Sequence, residues 1–519
     1  MPVRLQPKET TVQPYASSIC TLAVLKFASY YADHMVLQRG PQRAIVWGHA
    51  ATIGDEVTVM VSGKGEVKVN VVKDPNGNEG LWKAKLPAVT EPGPFTLTAS
   101  SSEGDLTLTD VMFGDVWVCS GQSNMEMPMK QIINSSLEIA EALKFRTIRI
   151  LKASMVESTT PLEDLKSLVF QWTDPNDADV SRFSAVCMLF GEYIHPNRNY
   201  PLGLIDTTWG GTPIEAWSSP DAIAECPTPN NTHLNSDTIY DGNNGPVMPR
   251  SPLDKCVLWN AMINPFLDMT IFGALWYQGE SNVWYPDLYS CQFPAMINDW
   301  RKKFHACSEK ETDIEFPFGF VQLAPNAKST EVGDFPAIRW SQTAKFGFVP
   351  NEKMPKTFMS VAMDLPDYDS PFGSIHPRYK QDIASRLVLG ARAVAYGEEG
   401  VKFQGPLPQT FSLNNVNNVL NVNYGDDSPI KVLNNNNGFE VCCSSSSTTE
   451  CADSDEWVAA PIIDQDTNSV SVSVAGCESK SPVGLRYEWR TSPCDLKECA
   501  IYGSDTDLPA PPYITKRGF

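Results

Sequence analysis

The chain has 519 residues, 42% of them apolar and 20% charged, and its 41 basic and 61 acidic side chains leave a formal charge of −20. That length exceeds a single hydrophobic core and implies two or three domains. The acidic balance excludes general binding to nucleic acid or anionic membrane, which needs a basic footprint, and no apolar run approaches the roughly 20 residues of a spanning helix.

Residues 1–26 begin with a polar leader containing a glutamate, and their apolar stretch is only "ICTLAVL", a poor match to a secretory signal. Residues 27–110 carry short alternating segments such as "RAIVWGHA", "EVTVMVSG" and "PFTLTASS", separated by Gly, Pro and Asn-Gly turns, which predicts a small antiparallel β-sandwich-like module. From 111 to 400 apolar strand candidates ("DVWVCS", "TIRIL", "FGALWYQG", "FPFGFVQLA", "TFMSVAMDL") alternate with helical patterns ("YSCQFPAMINDWRKKFHA", "YKQDIASRLVLGARAVAYG"). This alternation predicts an α/β domain with a largely parallel sheet flanked by helices. Residues 401–519 return to strands and polar loops, a second β-rich module.

Six of the 13 cysteines (Cys442, Cys443, Cys451, Cys477, Cys494 and Cys499) lie in that last module, without CxxC spacing or adjacent histidines. A disulfide framework fits better than zinc and implies an oxidising compartment. The sequons at Asn134 and Asn230 agree with it. The odd total leaves at least one thiol free, and Cys119 and Cys187, inside apolar runs, are the expected ones.

Four polar turns follow predicted strands. "SGQSN" holds Ser120, Gln122, Ser123 and Asn124; "TTWGGTPIEAW" holds Gly210 and Gly211; "WYQGESN" holds Gln278 and Glu280; "SPFGSIHPRYK" holds His376. A serine needs a base within hydrogen-bond reach to act as a nucleophile. Of the six histidines, His376 alone sits in a polar loop after a predicted core strand. Each turn alone could be a helix cap or solvated loop. Their joint occurrence at successive strand ends points to an active site.

"GQSNM", "WGGTPIEAW", "WYQGESN" and "IHPR" resemble the blocks of the sialate O-acetylesterases, a branch of the SGNH hydrolases, and the similarity extends through "FASYYADHMVLQRGPQRAIVWG", "CVLWNAMINPF" and "LPAPPYI". The resemblance implies a flavodoxin-like SGNH-hydrolase sheet and hydrolysis of acetyl esters on sialic acids, chiefly at the 9-position. It implies Ser123 as nucleophile and His376 as base. The Ser123 N–H, a glycine of the Gly210–Gly211 pair and the Gln278 side chain would be oxyanion donors. Bacterial relatives often place an acid two residues before the histidine, where this chain has Ser374. The third triad member is therefore Asp364, Asp367 or Asp369, with Asp364 favoured because it follows the strand directly, or else a backbone carbonyl orients a Ser-His dyad.

The implied substrate is an anion, for which Arg339 and Arg378 are the candidate cations, each also able to serve a structural acid. No paired-histidine ligand motif is present, so neither metal nor cofactor is expected. The expected location is lysosomal or secreted, with cytosolic the alternative given the poor signal sequence. The competing functions are an acetyl esterase for other carbohydrate or aryl acetates and a non-catalytic carbohydrate-binding protein. The sequence leaves the oligomeric state open.

Overall fold

One strand, β1 (Gly104–Gly121), organises the molecule, running unbroken for 18 residues. Its first part alternates exposed and half-buried side chains; from Met112 onward every residue is buried. The first pattern suits an antiparallel sheet with one wet face and the second a parallel sheet covered on both sides. The expected module boundary at residue 110 thus falls inside a single strand: the environment changes there while the backbone continues. The structure is a computed structural model and describes residues 25–519 except 76, 78, 199, 227–251, 330, 434–437, 446–449 and 453–454.

The first part of β1 pairs antiparallel with Phe95–Ser101, which pairs with Glu56–Val61. A separate antiparallel sheet of Lys26–Phe27, Ile45–Ala50, Gly80–Lys85 and Val72–Lys73 completes the N-terminal region. The second part of β1 is central to the main sheet. With β2 (Ile148–Ala153), β3 (Leu168–Thr173), β4 (Leu202–Thr208), β5 (Gly273–Tyr277), β6 (Phe318–Gln322) and β7 (Thr357–Val361), the strand order is β3-β2-β4-β1-β5-β6-β7. Only β3 runs antiparallel to its neighbour; all other adjacent pairs are parallel. The chain builds β2 and β4 on one side of β1, then β5, β6 and β7 on the other. Such a switch in strand order opens a crevice at the carboxyl ends of the strands.

Helices cover both faces. Trp117 of β1 pairs in register with Gly273 of β5, so the two share a face, and Trp276, three residues on, faces the other way. On the first face Trp117 meets Phe190 of α2 (Ala185–Ile194) at 5.0 Å. On the second, Trp276 stacks on Phe293 of α3 (Pro286–Cys307) at 6.4 Å. Glycine at 273 leaves room for the indole: a Cβ there would lie 2.6 Å from the Trp117 ring.

Two cysteine expectations need correction. Cys119 and Cys187 are not free; they form a cystine linking β1 to α2. Buried cysteines in two separate apolar runs are brought together because α2 packs on the face that Cys119 shares with Trp117. A second cystine joins Cys226 to Cys291, and Cys256 and Cys307 are the free thiols among the described residues. The C-terminal six pair wholly among themselves as Cys442–Cys451, Cys443–Cys477 and Cys494–Cys499. They staple a region of three small antiparallel sheets. No described helix is long and apolar enough to cross a membrane.

Candidate active site

The crevice at the ends of β4, β1 and β5 gathers the four polar turns. β1 stops at Gly121, whose φ of 134° and a would-be Cβ 2.3 Å from the Tyr277 carbonyl admit only glycine. Gln122 N–H donates to that carbonyl at 3.0 Å. Ser123 then opens the short helix α1 (Ser123–Glu126), half-buried at the crevice floor.

His376 arrives from the other side, on the loop between β7 and helix α4 (Lys380–Gly390). The loop is wound into turns: Gly373, at φ 88°, accepts from His376 N–H at 2.9 Å, and Ser370 Oγ donates to the His376 carbonyl at 2.8 Å. These turns aim the imidazole at Ser123, so that His376 Nε2 lies 2.8 Å from Ser123 Oγ across 253 positions of sequence. His376 Nδ1 lies 2.7 Å from the Phe372 carbonyl. A carbonyl only accepts, so Nδ1 carries the proton and Nε2 is left to accept from the serine hydroxyl. Burial pushes the His376 pKa below its ordinary value, partly offset by the Phe372 carbonyl, and the neutral, basic form is favoured.

Among the described residues no carboxylate bonds to His376. Asp364 is fully buried and clasped by Arg386 at 2.6 and 2.8 Å, with Tyr502 Oη donating to it at 3.1 Å. Asp367 takes Arg378 at 2.7 and 3.0 Å, and Asp369 is exposed. The favoured acid is therefore a structural ion-pair partner, and a backbone carbonyl occupies the orienting position. The cation expectations need the same correction. Arg339 is fully buried and donates to the carbonyls of Leu323, Arg490 and Thr491 at 2.7–2.9 Å. Arg378 is spent on Asp367. Ser374, at the position where an acid was sought, bonds Asn326 at 3.3 Å.

Gly210 sits over the serine. A Cβ on it would lie 3.1 Å from Ser123 Cβ and 3.0 Å from Glu126 Oε2. Its N–H donates to that carboxylate at 2.6 Å, and burial raises the Glu126 pKa. Gly211 turns the chain at φ 72°. Gln278 is fully buried, its Nε2 given to Asn282 Oδ1 at 2.7 Å and the Thr212 carbonyl at 3.2 Å, its Oε1 accepting from Tyr289 at 3.1 Å. Both expected side donors are thus engaged by protein groups.

Sequence reasoning missed three contributors and gave a fourth, Asn124, no role. The Phe372 carbonyl carries no side-chain signal at all. Glu126, three residues after Ser123, could have been found from spacing. Lys380 and Asn124 form the third and fourth: the Asn124 amide donates to Glu280 Oε1 at 2.6 Å and the Ile375 carbonyl at 2.8 Å, and accepts from Lys380 Nζ at 2.7 Å. Among the described residues one trio could approach a metal, Cys442, Cys451 and Asp455, and its sulfurs are already joined as a cystine. Asn134 is exposed and makes no capping bond, leaving its amide accessible; Asn230 lies outside the described residues.

Comparison with known proteins gives the same direction as the geometry. Residues 113–370 match the family described as "Carbohydrate esterase, sialic acid-specific acetylesterase" and residues 409–517 the "Sialate O-acetylesterase C-terminal domain". The chain is 42% identical to the mouse sialate O-acetylesterase over 522 residues, covering 95% of this chain and 94% of the relative. It is 42% identical to the human protein of that name over 501 residues, covering 94% and 92%. The crystal structure of a carbohydrate acetylesterase from Xanthomonas citri superposes with a TM-score of 0.76 at 28% identity, covering 95% of this chain and 99% of the other. Identity at that level across almost the whole length places this chain in the sialate O-acetylesterase family.

Proposed function

We propose that the protein is a serine esterase that removes O-acetyl groups, chiefly the 9-O-acetyl group, from sialic acids on an SGNH-type sheet. The observation that carries this reading is the 2.8 Å contact between Ser123 Oγ and His376 Nε2, with the imidazole tautomer set by the Phe372 carbonyl. Ser123 Oγ attacks the acetyl carbon while its proton passes to Nε2. The tetrahedral intermediate collapses as the imidazolium returns that proton to the departing sugar oxygen, leaving acetyl-Ser123. Water, deprotonated by His376, then attacks the acetyl group, and acetate leaves with Ser123 restored.

The Ser123 N–H is the oxyanion donor closest to the bond changes. The Gly210 N–H can join it once the carbonyl oxygen displaces Glu126 Oε2. One such donor contributes about 3–4 kcal/mol to the transition state. The Phe372 carbonyl fixes the tautomer as a triad acid would but supplies only a dipole to the imidazolium. A sugar substrate suits the rim, where Trp284 and Phe372 are 65% and 39% exposed on the loops that carry Glu280 and His376. The disulfides and the exposed Asn134 sequon support a lysosomal or secreted site of action.

The test is acetate release from 9-O-acetyl sialic acid. The wild-type protein should turn it over and Ser123→Ala should not. Faster turnover of acetylated xylan than of the sialic acid ester would move the assignment to another carbohydrate acetylesterase.

A further inference from the structure

Behind the Ser123–His376 pair lies a buried polar relay that the acyl-transfer chemistry does not use. Asn124 is 1% exposed, Lys380 0% and Glu280 8%. The Asn124 side chain joins three of the four polar turns at one point. Through its own backbone it belongs to the serine turn. Through Nδ2 it holds Glu280 of the "YQGESN" turn at 2.6 Å and the carbonyl of Ile375, next to His376, at 2.8 Å. Its Oδ1 accepts from Lys380 Nζ at 2.7 Å, at the first residue of α4, just past the histidine loop. That third bond fixes which end of the amide faces which loop, since an ammonium donates only and both other partners accept.

We propose that Lys380 is a positioning residue for the esterase chemistry: by locking the Asn124 amide it sets the spacing between the loop that carries Ser123 and the loop that carries His376. The proposal rests on the Ser123–His376 reading and deepens it. Asn124 and Ile375 each adjoin one member of the pair, so the 2.8 Å bond between them is a strut parallel to the 2.8 Å contact at the reacting atoms. Without the lysine, the buried Oδ1 loses its donor and only the two Nδ2 bonds hold the amide.

The relay also carries charge. The groups facing Lys380 are Glu280, Asp367, His376 and the Tyr277 ring, whose centroid is 5.0 Å from Nζ. Burial, only partly offset by Glu280 and Asp367, brings the lysine down to about 7, and its charge in turn disfavours protonation of His376. Replacing it with an uncharged side chain raises the histidine pKa and moves the acid limb of activity to higher pH.

The experiment compares Lys380→Met and Asn124→Ala with wild type and Ser123→Ala on 4-nitrophenyl acetate across pH. For Lys380→Met the expected result is a kcat lower by roughly 10- to 100-fold, the penalty of a displaced reacting pair, a KM within about twofold, and an acid limb shifted upward. Asn124→Ala should match the loss in kcat. A Lys380→Met protein with wild-type kcat and an unmoved acid limb would overturn the proposal, as would parallel losses of kcat and thermal stability with no shift of the limb. If Lys380→Met does not fold, Asn124→Ala decides: wild-type kcat in that variant overturns the inference. Turnover by Ser123→Ala would instead overturn the underlying assignment.

Discussion

Asp364 offers the sharpest contrast between two readings of this site. Its carboxylate is fully buried, holds both Arg386 nitrogens at 2.6 and 2.8 Å, and accepts from Tyr502 at 3.1 Å. Asp364→Asn keeps the shape and one acceptor oxygen but leaves the Arg386 charge uncompensated in a dry environment. Removing one partner of a buried ion pair costs about 3–5 kcal/mol of stability. A triad acid replaced by its amide loses about 10⁴ in kcat instead. The assay is kcat per active site, with sites counted by fluorophosphonate titration, alongside a denaturant midpoint. The structure predicts a lower midpoint and a kcat within about fivefold of wild type, since the pair lies outside the reacting groups. A loss of kcat near 10⁴ at an unchanged midpoint would refute the carbonyl-oriented dyad.

Three further outcomes follow from the same geometry. Because burial lowers the His376 pKa below its ordinary value of 6.5, the base stays neutral further into acid and is lost only when pH falls through the lowered value; the acid limb of kcat/KM should therefore lie below 6.5, and a midpoint above it would contradict the assignment. Gly210→Ala puts a methyl 3.1 Å from Ser123 Cβ and should lower kcat by roughly 100-fold with little change in melting temperature, read by acetate release and thermal unfolding. Replacing Cys119 and Cys187 together with alanine should cost about 2–4 kcal/mol in denaturant unfolding while activity at low temperature survives; loss of all activity in a folded protein would give that cystine a role in the site.

Much of the site was legible because its chemistry is concentrated in turns. His376 was singled out from residue type and its place after a predicted strand, whereas Ser123 was picked from its turn through the family resemblance; the structure brings the two within hydrogen-bond distance. What the sequence concealed was pairing. Asp364 looked catalytic because it follows β7 directly, but its partner Arg386 lies one helix further on. Arg339 looked like a substrate anchor because an anionic substrate calls for a cation; two of the carbonyls it serves come from residues about 150 positions away. Cys119 and Cys187 looked like inert core thiols, since nothing local shows that α2 returns onto the same face of β1. The module boundary marks a change of covering and not a break in the chain: hydrophobic periodicity reports which faces are covered, and β1 keeps one backbone while its covering changes.

The central claim is that Ser123 is activated by His376 through their direct contact. A fluorophosphonate that labels only activated serines, followed by peptide mass spectrometry, measures it. The account predicts a stoichiometric adduct on the peptide containing Ser123 in the wild-type protein and none in His376→Ala. An adduct on a different serine, or undiminished labelling of Ser123 without the histidine, would contradict it.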